Sequence, residues 1–183
     1  MTQDASQILD VEDGAGRALE SFVVEHRIRL VRLAAMVCGD LSEAEDIVQT
    51  AIMRAWRSRS ALRDDARLRP WLDRIVVREA SRERRIRIAW LGRLVRPDRD
   101  EASDSERHEL VDEVATRFPE RLALRQAFER LGPRHRAVVV LHLHAGYTLA
   151  DTAEILGIPQ ETARSRMRVA RDQLRGALAG GPR

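Results

Sequence analysis

A chain of 183 residues, of which 44% are hydrophobic and 33% charged, is long enough for one folded domain or two small ones. Its net charge is +3, and Cys38 is the single cysteine, so no internal disulfide can form. No apolar run approaches the roughly eighteen residues that cross a bilayer, and the N-terminus is acidic where a secretory signal would be basic. We therefore expect a cytoplasmic protein with no membrane insertion.

Charge is segregated along the chain. Residues 1–20 carry five acids and one arginine, residues 71–93 seven arginines and three acids, residues 98–120 nine acids and three arginines, and residues 159–175 five arginines and two acids. Two basic stretches separated by an acidic one suggest two contacts with one polyanion. Ordinary alternation of solvated charge is the alternative interpretation.

The beginning of the chain predicts a tail and two helices. Residues 1–17 are polar, acidic and glycine-bearing, and we expect a disordered tail there. A helical pattern follows over residues 18–38, and Gly39 suits its C-cap. Ser42 is expected to open the second helix, with Glu45 as its capping-box partner.

The second helix has an apolar side and a polar side, and Asp46, Gln49 and Met53 share the polar one. Residues 58–70 lack a clear period and predict a loop. A third helix is expected from Trp71, with a strongly basic far end over residues 82–87. Trp56 and Trp71 lie on apolar stripes, which favours core positions over platforms for a nucleic-acid base.

Composition then divides the chain into regions. Residues 96–119 have a proline near each end and an acidic middle, which predicts a flexible interdomain linker. A second helical domain is expected over 120–179, after a first one over 18–95, and residues 180–183 form a tail. Neither a strand pattern nor an internal repeat is visible. The predicted fold is all-α, with two small helical domains joined by the acidic linker.

The second domain contains a helix-turn-helix pattern between Thr148 and Arg175. Thr148 can cap the first helix with Asp151 as its capping-box partner, and Gly157 suits a left-handed turn. The next helix carries an apolar stripe spaced four, three and four residues apart: Ala163, Met167, Ala170 and Leu174. Arginines occupy its other faces. This layout is typical of a helix that enters the DNA major groove, and a helical hairpin with a solvated arginine face is the alternative.

Catalysis is not expected. The histidines are His26, His108, His135, His142 and His144. None has a carboxylate or cysteine at a spacing useful for a metal, and neither a phosphate-binding loop nor a nucleophile–base arrangement is visible. We predict no enzyme activity, no metal and no cofactor.

Three blocks, taken in order, resemble bacterial sigma factors of the sigma-70 family. Residues 44–56 (AEDIVQTAIMRAW) are similar to the polymerase-binding helix of the second conserved region, and residues 70–87 (PWLDRIVVREASRERRIR) to the promoter-facing helix that follows it. Residues 128–178 resemble the fourth region. The acidic N-terminal region and the long third region of housekeeping sigma factors have no counterpart, which is typical of the extracytoplasmic function group.

The resemblance implies a dissociable subunit that binds core RNA polymerase and directs promoter-specific initiation, with an anti-sigma factor as a further partner. It assigns polymerase binding to Glu45, Asp46, Gln49 and Met53. It assigns the −10 element to Leu68, Arg74, Arg78, Arg82 and Arg85. It assigns the −35 element to Thr162, Arg164, Ser165, Arg166, Arg168 and Arg171.

The sequence departs from the family at three places. Residues 61–70 contain no aromatic side chain to stack on an unpaired base, Arg78 stands where the family often has an asparagine, and Val169 stands where an arginine is common. Capture of a −10 base would then fall to Leu68, arginine planes and backbone groups. Two alternatives stay open: a helix-turn-helix regulator that binds DNA without polymerase, and a sigma-like chain that serves as a protein-interaction module.

Overall fold

The computed structural model describes residues 3–62, 64–94 and 119–179, and within them it contains helices and no strand, as the sequence predicted. The helices are α1 Gln3–Cys38, α2 Leu41–Arg57, α3 Leu68–Leu94, α4 Pro119–Arg130, α5 Pro133–Val139, α6 Leu149–Leu156 and α7 Gln160–Ala179. Short 3-10 turns occupy Arg59–Ala61 and Asp65–Arg67, and a π-helical turn, Val140–His144, extends α5. Apart from Pro119, the predicted linker 96–119 and the tail 180–183 lie outside the described residues.

Helices α1, α2 and α3 pack around one apolar core. Its fully buried side chains come from all three helices and include Leu30, Leu33, Val37, Val48, Leu72, Val76 and Val77. Each such Leu or Val contributes about 1.5–3 kcal/mol relative to exposure. This burial holds the polar face of α2 and the basic face of α3 outward.

Helix α1 begins at Gln3, so the expectation of a disordered tail is wrong for residues 3–17. Glycine in a helix costs about 1 kcal/mol relative to alanine, and Gly14 and Gly16 made this segment look unstructured. Gly16 is buried, and a Cβ there would lie 3.3 Å from the ring of Trp56. The contact with α2, which local composition does not reveal, favours the longer helix.

The N-terminus of α2 differs from the prediction by two residues. Asp40 is the N-cap, and its carboxylate accepts hydrogen bonds from the backbone N–H groups of Ser42 at 2.7 Å and Glu43 at 3.2 Å. The expected capping box of Ser42 and Glu45 is therefore wrong, because the earlier aspartate satisfies the same donors. Gly39 ends α1 with φ +88°, as predicted.

Helix α3 begins at Leu68, three residues before the predicted start. Pro70 thus lies in the first turn, where a missing N–H removes no helical hydrogen bond. The expectation for the tryptophans holds in part. Trp71 is half-buried against the core, but Trp56 is 45% exposed, with the Arg59 guanidinium 5.1 Å from its ring centre.

Helices α4 to α7 form the second group, in which α4, α5 and α6 all pack on α7. The predicted stripe is confirmed: Ala163, Met167 and Ala170 are buried and Leu174 is half-buried. The predicted N-cap and turn of the helix-turn-helix are confirmed as well. Thr148 and Asp151 form a capping box, and Gly157 has φ +65°.

The two helical groups pack against each other, which the sequence did not predict. Ala137, Val140, Leu141 and Ile155 of the second group join the apolar core of the first. Helix α3 contacts both α5 and α6, and α1 contacts α5. In the part of the chain that the structure describes, no helix combines the length and apolarity needed to span a membrane.

Candidate nucleic-acid interface

The second helix of the helix-turn-helix, α7, presents most of the predicted −35 residues to solvent. Four are exposed, namely Arg164, Ser165, Arg168 and Arg171, and two are half-buried, Thr162 and Arg166. A helix advances ~100° per residue, so Ser165 lies opposite the buried stripe. Arg164 and Arg168 then flank it on one side, and Thr162 and Arg166 on the other. A surface of this kind can place hydroxyl and guanidinium donors against base edges and phosphates.

The basic surface extends beyond α7. The pKa of Arg166 lies below its ordinary value because the group is partly buried and because Arg134 adds a second positive charge nearby. Arg134 is exposed near the start of α5. Its place in the sequence does not reveal this role, because it lies well before the second helix of the motif. An anion such as a phosphate would relieve the repulsion between these two cations.

Four predicted −10 residues share one stripe of α3. Arg74, Arg78, Arg82 and Arg85 are spaced four, four and three residues apart, which aligns them along one face. Arg78, Arg82 and Arg85 are exposed, and Arg74 is half-buried. Burial first, and the charge of Arg74 second, lower the pKa of Arg78 below its ordinary value.

The structure contradicts the assignment of Leu68 to the −10 element. Its side chain is 5% exposed and belongs to the main apolar core. The sequence suggested Leu68 because the 61–70 segment has no aromatic side chain, but the early start of α3 turns this leucine inward. It therefore anchors the segment and does not face DNA.

The predicted polymerase-binding residues lie together on the exposed side of α2. Glu45, Asp46, Gln49 and Met53 are all exposed, and the opposite side of the helix is buried. An acidic cleft adjoins this face, and two of its carboxylates, Glu79 and Glu83, come from α3. The sequence does not reveal these two, because only the packing of α3 on α2 brings them beside Asp46.

His142 and the single cysteine, Cys38, both make contacts inside the protein. His142 Nδ1 lies 2.7 Å from the carbonyl of Tyr147. Cys38 is buried, donates to the carbonyl of Asp40 at 3.1 Å, and has a pKa raised above 9.0 mainly by burial. Among the described residues no group of three or more His, Cys, Asp or Glu side chains could hold a metal ion.

Known families and proteins are similar to this chain over both helical groups. The sequence matches the family Sigma-70 region 2 over residues 22–87 and Sigma-70, region 4 over residues 127–176. It is 32% identical to the ECF RNA polymerase sigma factor SigM of Mycobacterium tuberculosis, over 86% of this chain and 75% of SigM. It is 34% identical to SigL of the same organism, over 84% of this chain and 85% of SigL. Identity to the RNA polymerase sigma-H factor of Pseudomonas aeruginosa is 30%, over 96% and 94% of the two chains.

Two solved structures share the fold at lower identity. The sigma factor RpoE of Bartonella quintana, in complex with the anti-sigma factor NepR, aligns with a TM-score of 0.62 and 20% identity over 89% of this chain and 98% of RpoE. CnrH, in complex with the cytosolic domain of CnrY, aligns with a TM-score of 0.63 and 22% identity over 96% of both chains.

A three-helix group with an acidic face and a basic stripe, followed by a helix-turn-helix group, defines a DNA-binding transcription protein. The relatives of similar length make the assignment specific. The chain belongs to the extracytoplasmic function group of the sigma-70 family of RNA polymerase sigma factors. Its function is therefore that of a sigma factor, and the alternative of a regulator that acts without polymerase is set aside.

Proposed function

We propose that this sigma factor binds core RNA polymerase through the exposed side of α2 and directs initiation by placing α3 at the −10 element and α7 at the −35 element. One observation carries the assignment of faces. Each of the three helices has a buried apolar stripe and, away from it, an exposed polar face of the charge that its partner requires. The site of action is the cytoplasm, where polymerase and promoter DNA are found.

The polymerase face consists of Glu45, Asp46, Gln49 and Met53. Two carboxylates and an amide on a helix whose back is fixed in the core can pair with basic side chains of a partner without a large loss of conformational entropy. Met53 is 50% exposed and adds an adaptable apolar contact beside them. This combination suits a protein partner better than a nucleic acid, because the acids would repel phosphates.

The promoter faces consist of arginines with a few hydroxyl groups. Arg74, Arg78, Arg82 and Arg85 of α3 serve the −10 element. The −35 face consists of Thr162, Arg164, Ser165, Arg166, Arg168 and Arg171 of α7. An anti-sigma factor is also part of the proposal, since the similarly folded RpoE is bound by NepR.

The first experiment compares Asp46→Arg with Glu25→Arg, a matched charge reversal on the exposed surface of α1. Each full-length chain is mixed with bacterial core polymerase and analysed by size-exclusion chromatography. We expect wild type and Glu25→Arg to co-elute with core and Asp46→Arg to elute alone. Co-elution of Asp46→Arg at wild-type level would contradict the assigned polymerase face.

The second experiment concerns the −35 face and compares Arg164→Ala with Arg134→Ala in the holoenzyme. If Arg164 contacts a base, Arg164→Ala should weaken promoter binding by ~1–3 kcal/mol and reduce discrimination between bases at one position. Arg134 lies outside the recognition helix and is expected to contact phosphate. Arg134→Ala should weaken binding to all DNA sequences alike. It should also reduce the slope of the logarithm of the binding constant against the logarithm of the salt concentration by about 1. Equal behaviour of the two variants would contradict the division of roles.

A further inference from the structure

A carboxylate lies near the centre of the outward side of α7. Glu161 is in the first turn of this helix, and its side chain is 79% exposed. The buried stripe, which includes Ala163 and Met167, fixes the orientation of the helix. At ~100° per residue, Glu161 and Ser165 project from the opposite side, one turn apart. An acid therefore lies among the arginines and hydroxyl groups of the −35 face.

Glu161 is paired within its own helix. Its carboxylate accepts a hydrogen bond from the guanidinium of Arg164, three residues later. An exposed ion pair of this spacing contributes little to the stability of a helix. The pair does hold the Arg164 guanidinium beside the carboxylate, at the N-terminal end of α7, which is the part of such a helix where base contacts concentrate.

The negative charge of Glu161 is unfavourable for contacts with phosphates. DNA affinity depends largely on neutralising phosphates, and a carboxylate on the binding surface opposes it. Phosphates lie along the edges of the major groove, whereas the base edges form its floor. Arg168 lies to one side of the outward line through Ser165, and Arg166 lies to the other. These arginines can contact the two edges of the groove while Glu161 faces its floor.

The four bases differ in what their major-groove edges offer a carboxylate, which can only accept hydrogen bonds. Cytosine presents the N4 amino donor. Adenine presents its N6 amino donor beside the N7 acceptor, and guanine and thymine present acceptor oxygens. A carboxylate on the groove floor is therefore attracted by cytosine and repelled by the acceptor atoms of the other three bases.

We propose that Glu161 determines specificity at the −35 element by accepting a hydrogen bond from the N4 amino group of a cytosine. The same carboxylate positions Arg164, whose remaining N–H donors suit the O6 and N7 atoms of a guanine at or beside this base pair. This role of Glu161 rests on the proposed function, because it takes α7 as the helix that enters the major groove at the −35 element.

The test compares wild type with Glu161→Ala in the holoenzyme. Promoter fragments carry each of the four base pairs in turn at every position of the −35 element, and the Kd of each fragment is measured. We expect wild type to prefer cytosine at one position by about tenfold and Glu161→Ala to lose that preference. Unchanged base preferences in Glu161→Ala overturn the proposal.

Binding to DNA that lacks a −35 element should respond differently. Glu161→Ala removes a charge that repels phosphates, so its holoenzyme should bind such DNA at least as tightly as the wild-type holoenzyme does. Specificity should thus fall without a loss of general affinity. An equal loss of affinity for all fragments would contradict a base contact by Glu161.

Glu161→Gln gives a prediction about the identity of the base. A glutamine amide can accept from N6 and donate to N7 of adenine, a pairing that a carboxylate cannot make. At the position where wild type prefers cytosine, we expect the affinity for adenine relative to cytosine to rise about tenfold. An unchanged ratio overturns the assignment of cytosine.

Asp172→Asn is the matched control for Glu161→Gln. Asp172 is exposed, lies on the same outward side of α7 and pairs with Arg175, also three residues later, at 3.6 Å. It is about three turns beyond Glu161, or ~16 Å along the helix, and so lies outside the N-terminal part that contacts base edges. We expect Asp172→Asn to keep the wild-type preferences. An equal change in both variants would mean that net charge causes the effect, and it overturns the proposal.

Two further outcomes separate this role from the proposed function and from a structural one. A holoenzyme without any base preference at the −35 element refutes the proposed function itself. If Glu161 only complements the helix dipole, Glu161→Ala lowers the thermal stability measured by circular dichroism and leaves all base preferences as in wild type. That result overturns the proposal and leaves the proposed function intact.

Discussion

At the scale of single residues, burial separates roles that the sequence leaves together. Leu68 and Arg74 were both assigned to the −10 element, but Leu68 is in the core and Arg74 is half-buried on the basic stripe. A leucine carries no charge or donor that would bind phosphate, so its contribution is to stability. The same distinction applies to Asp73, whose carboxylate is fully buried although aspartates are mostly exposed in proteins.

The role of Leu68 can be measured against that of Arg82. Leu68→Ala should lower the free energy of unfolding by ~2–5 kcal/mol, because it opens a cavity in the main core. Arg82 is exposed and makes no core contact, so Arg82→Ala should leave stability within about 0.5 kcal/mol while weakening DNA binding. Denaturant unfolding of both variants decides this. A stable Leu68→Ala that loses only promoter binding would restore the original assignment.

The phenol of Tyr147 makes the free energy of unfolding depend on pH in the alkaline range. Burial first, and the neighbouring Asp73 second, raise its pKa above the ordinary 10.0, while Arg69 and Arg29 act in the opposite direction. Above pH 10 the unfolded chain loses this proton and the folded chain retains it. Its contribution to stability is therefore complete below pH 10 and declines as the pH rises further.

Tyr147→Phe removes that titration. Urea unfolding between pH 9 and 11 should show a shallower alkaline loss of stability in Tyr147→Phe than in the wild-type chain. Thr152→Val is the control: it removes a buried hydroxyl that makes no hydrogen bond, keeps the phenol, and should follow wild type. Parallel curves for wild type and Tyr147→Phe would mean that the phenol ionises equally in the folded and unfolded chains.

At the scale of elements, glycines and caps decide where helices end. Gly39, between α1 and α2, has φ +88°, and a Cβ there would lie 2.6 Å from an Arg84 nitrogen. Both the left-handed conformation and the close guanidinium disfavour a side chain at this position. Gly176 lies within α7, and a Cβ there would meet no atom within 4 Å, so this glycine serves no such purpose.

The two glycines predict opposite effects of the same substitution. Gly39→Ala should destabilise the protein by at least ~1–2 kcal/mol, since alanine is strained in the left-handed region. Gly176→Ala should stabilise α7 by up to ~1 kcal/mol through helix propensity. Thermal unfolding of both variants measures the difference. A neutral Gly39→Ala would show that the α1–α2 turn adjusts without strain.

At the scale of the whole molecule, the shared core couples the two halves. Leu141 of the second half is fully buried in the main core cluster, whereas Met167 is buried in the smaller cluster of the helix-turn-helix group. All three tryptophans, Trp56, Trp71 and Trp90, belong to the first half. Tryptophan fluorescence therefore reports unfolding of the half that does not contain Leu141.

Leu141→Ala should leave a cavity in the shared core and lower the free energy of unfolding by ~2–5 kcal/mol. The denaturant midpoint measured by tryptophan fluorescence should therefore fall. Met167→Ala should lower the midpoint of helix loss by circular dichroism but move the fluorescence midpoint much less. Identical shifts of the fluorescence midpoint in both variants would argue that one cooperative unit includes the small cluster. No shift with Leu141→Ala would mean that the halves unfold separately.

Much of this protein follows from local sequence. The apolar stripe of α7, the capping box at Thr148 and the turn at Gly157 are set by residues within a few positions of one another, so their patterns are visible without a structure. The exposed side of α2 and the arginine spacing of α3 follow from helical periodicity for the same reason. The resemblance to the sigma-70 family also rests on these local patterns.

Only the tertiary structure decided the contacts between distant segments. The start of α1 at Gln3 is supported by the contact of Gly16 with Trp56, and the inward turn of Leu68 follows from the packing of α3. Asp73 pairs with Arg29 and with Tyr147, which lie 44 and 74 positions away in the chain, and no periodic pattern encodes such a pairing. Hydrogen bonds and apolar contacts of this range depend on how helices pack, which is a property of the assembled molecule.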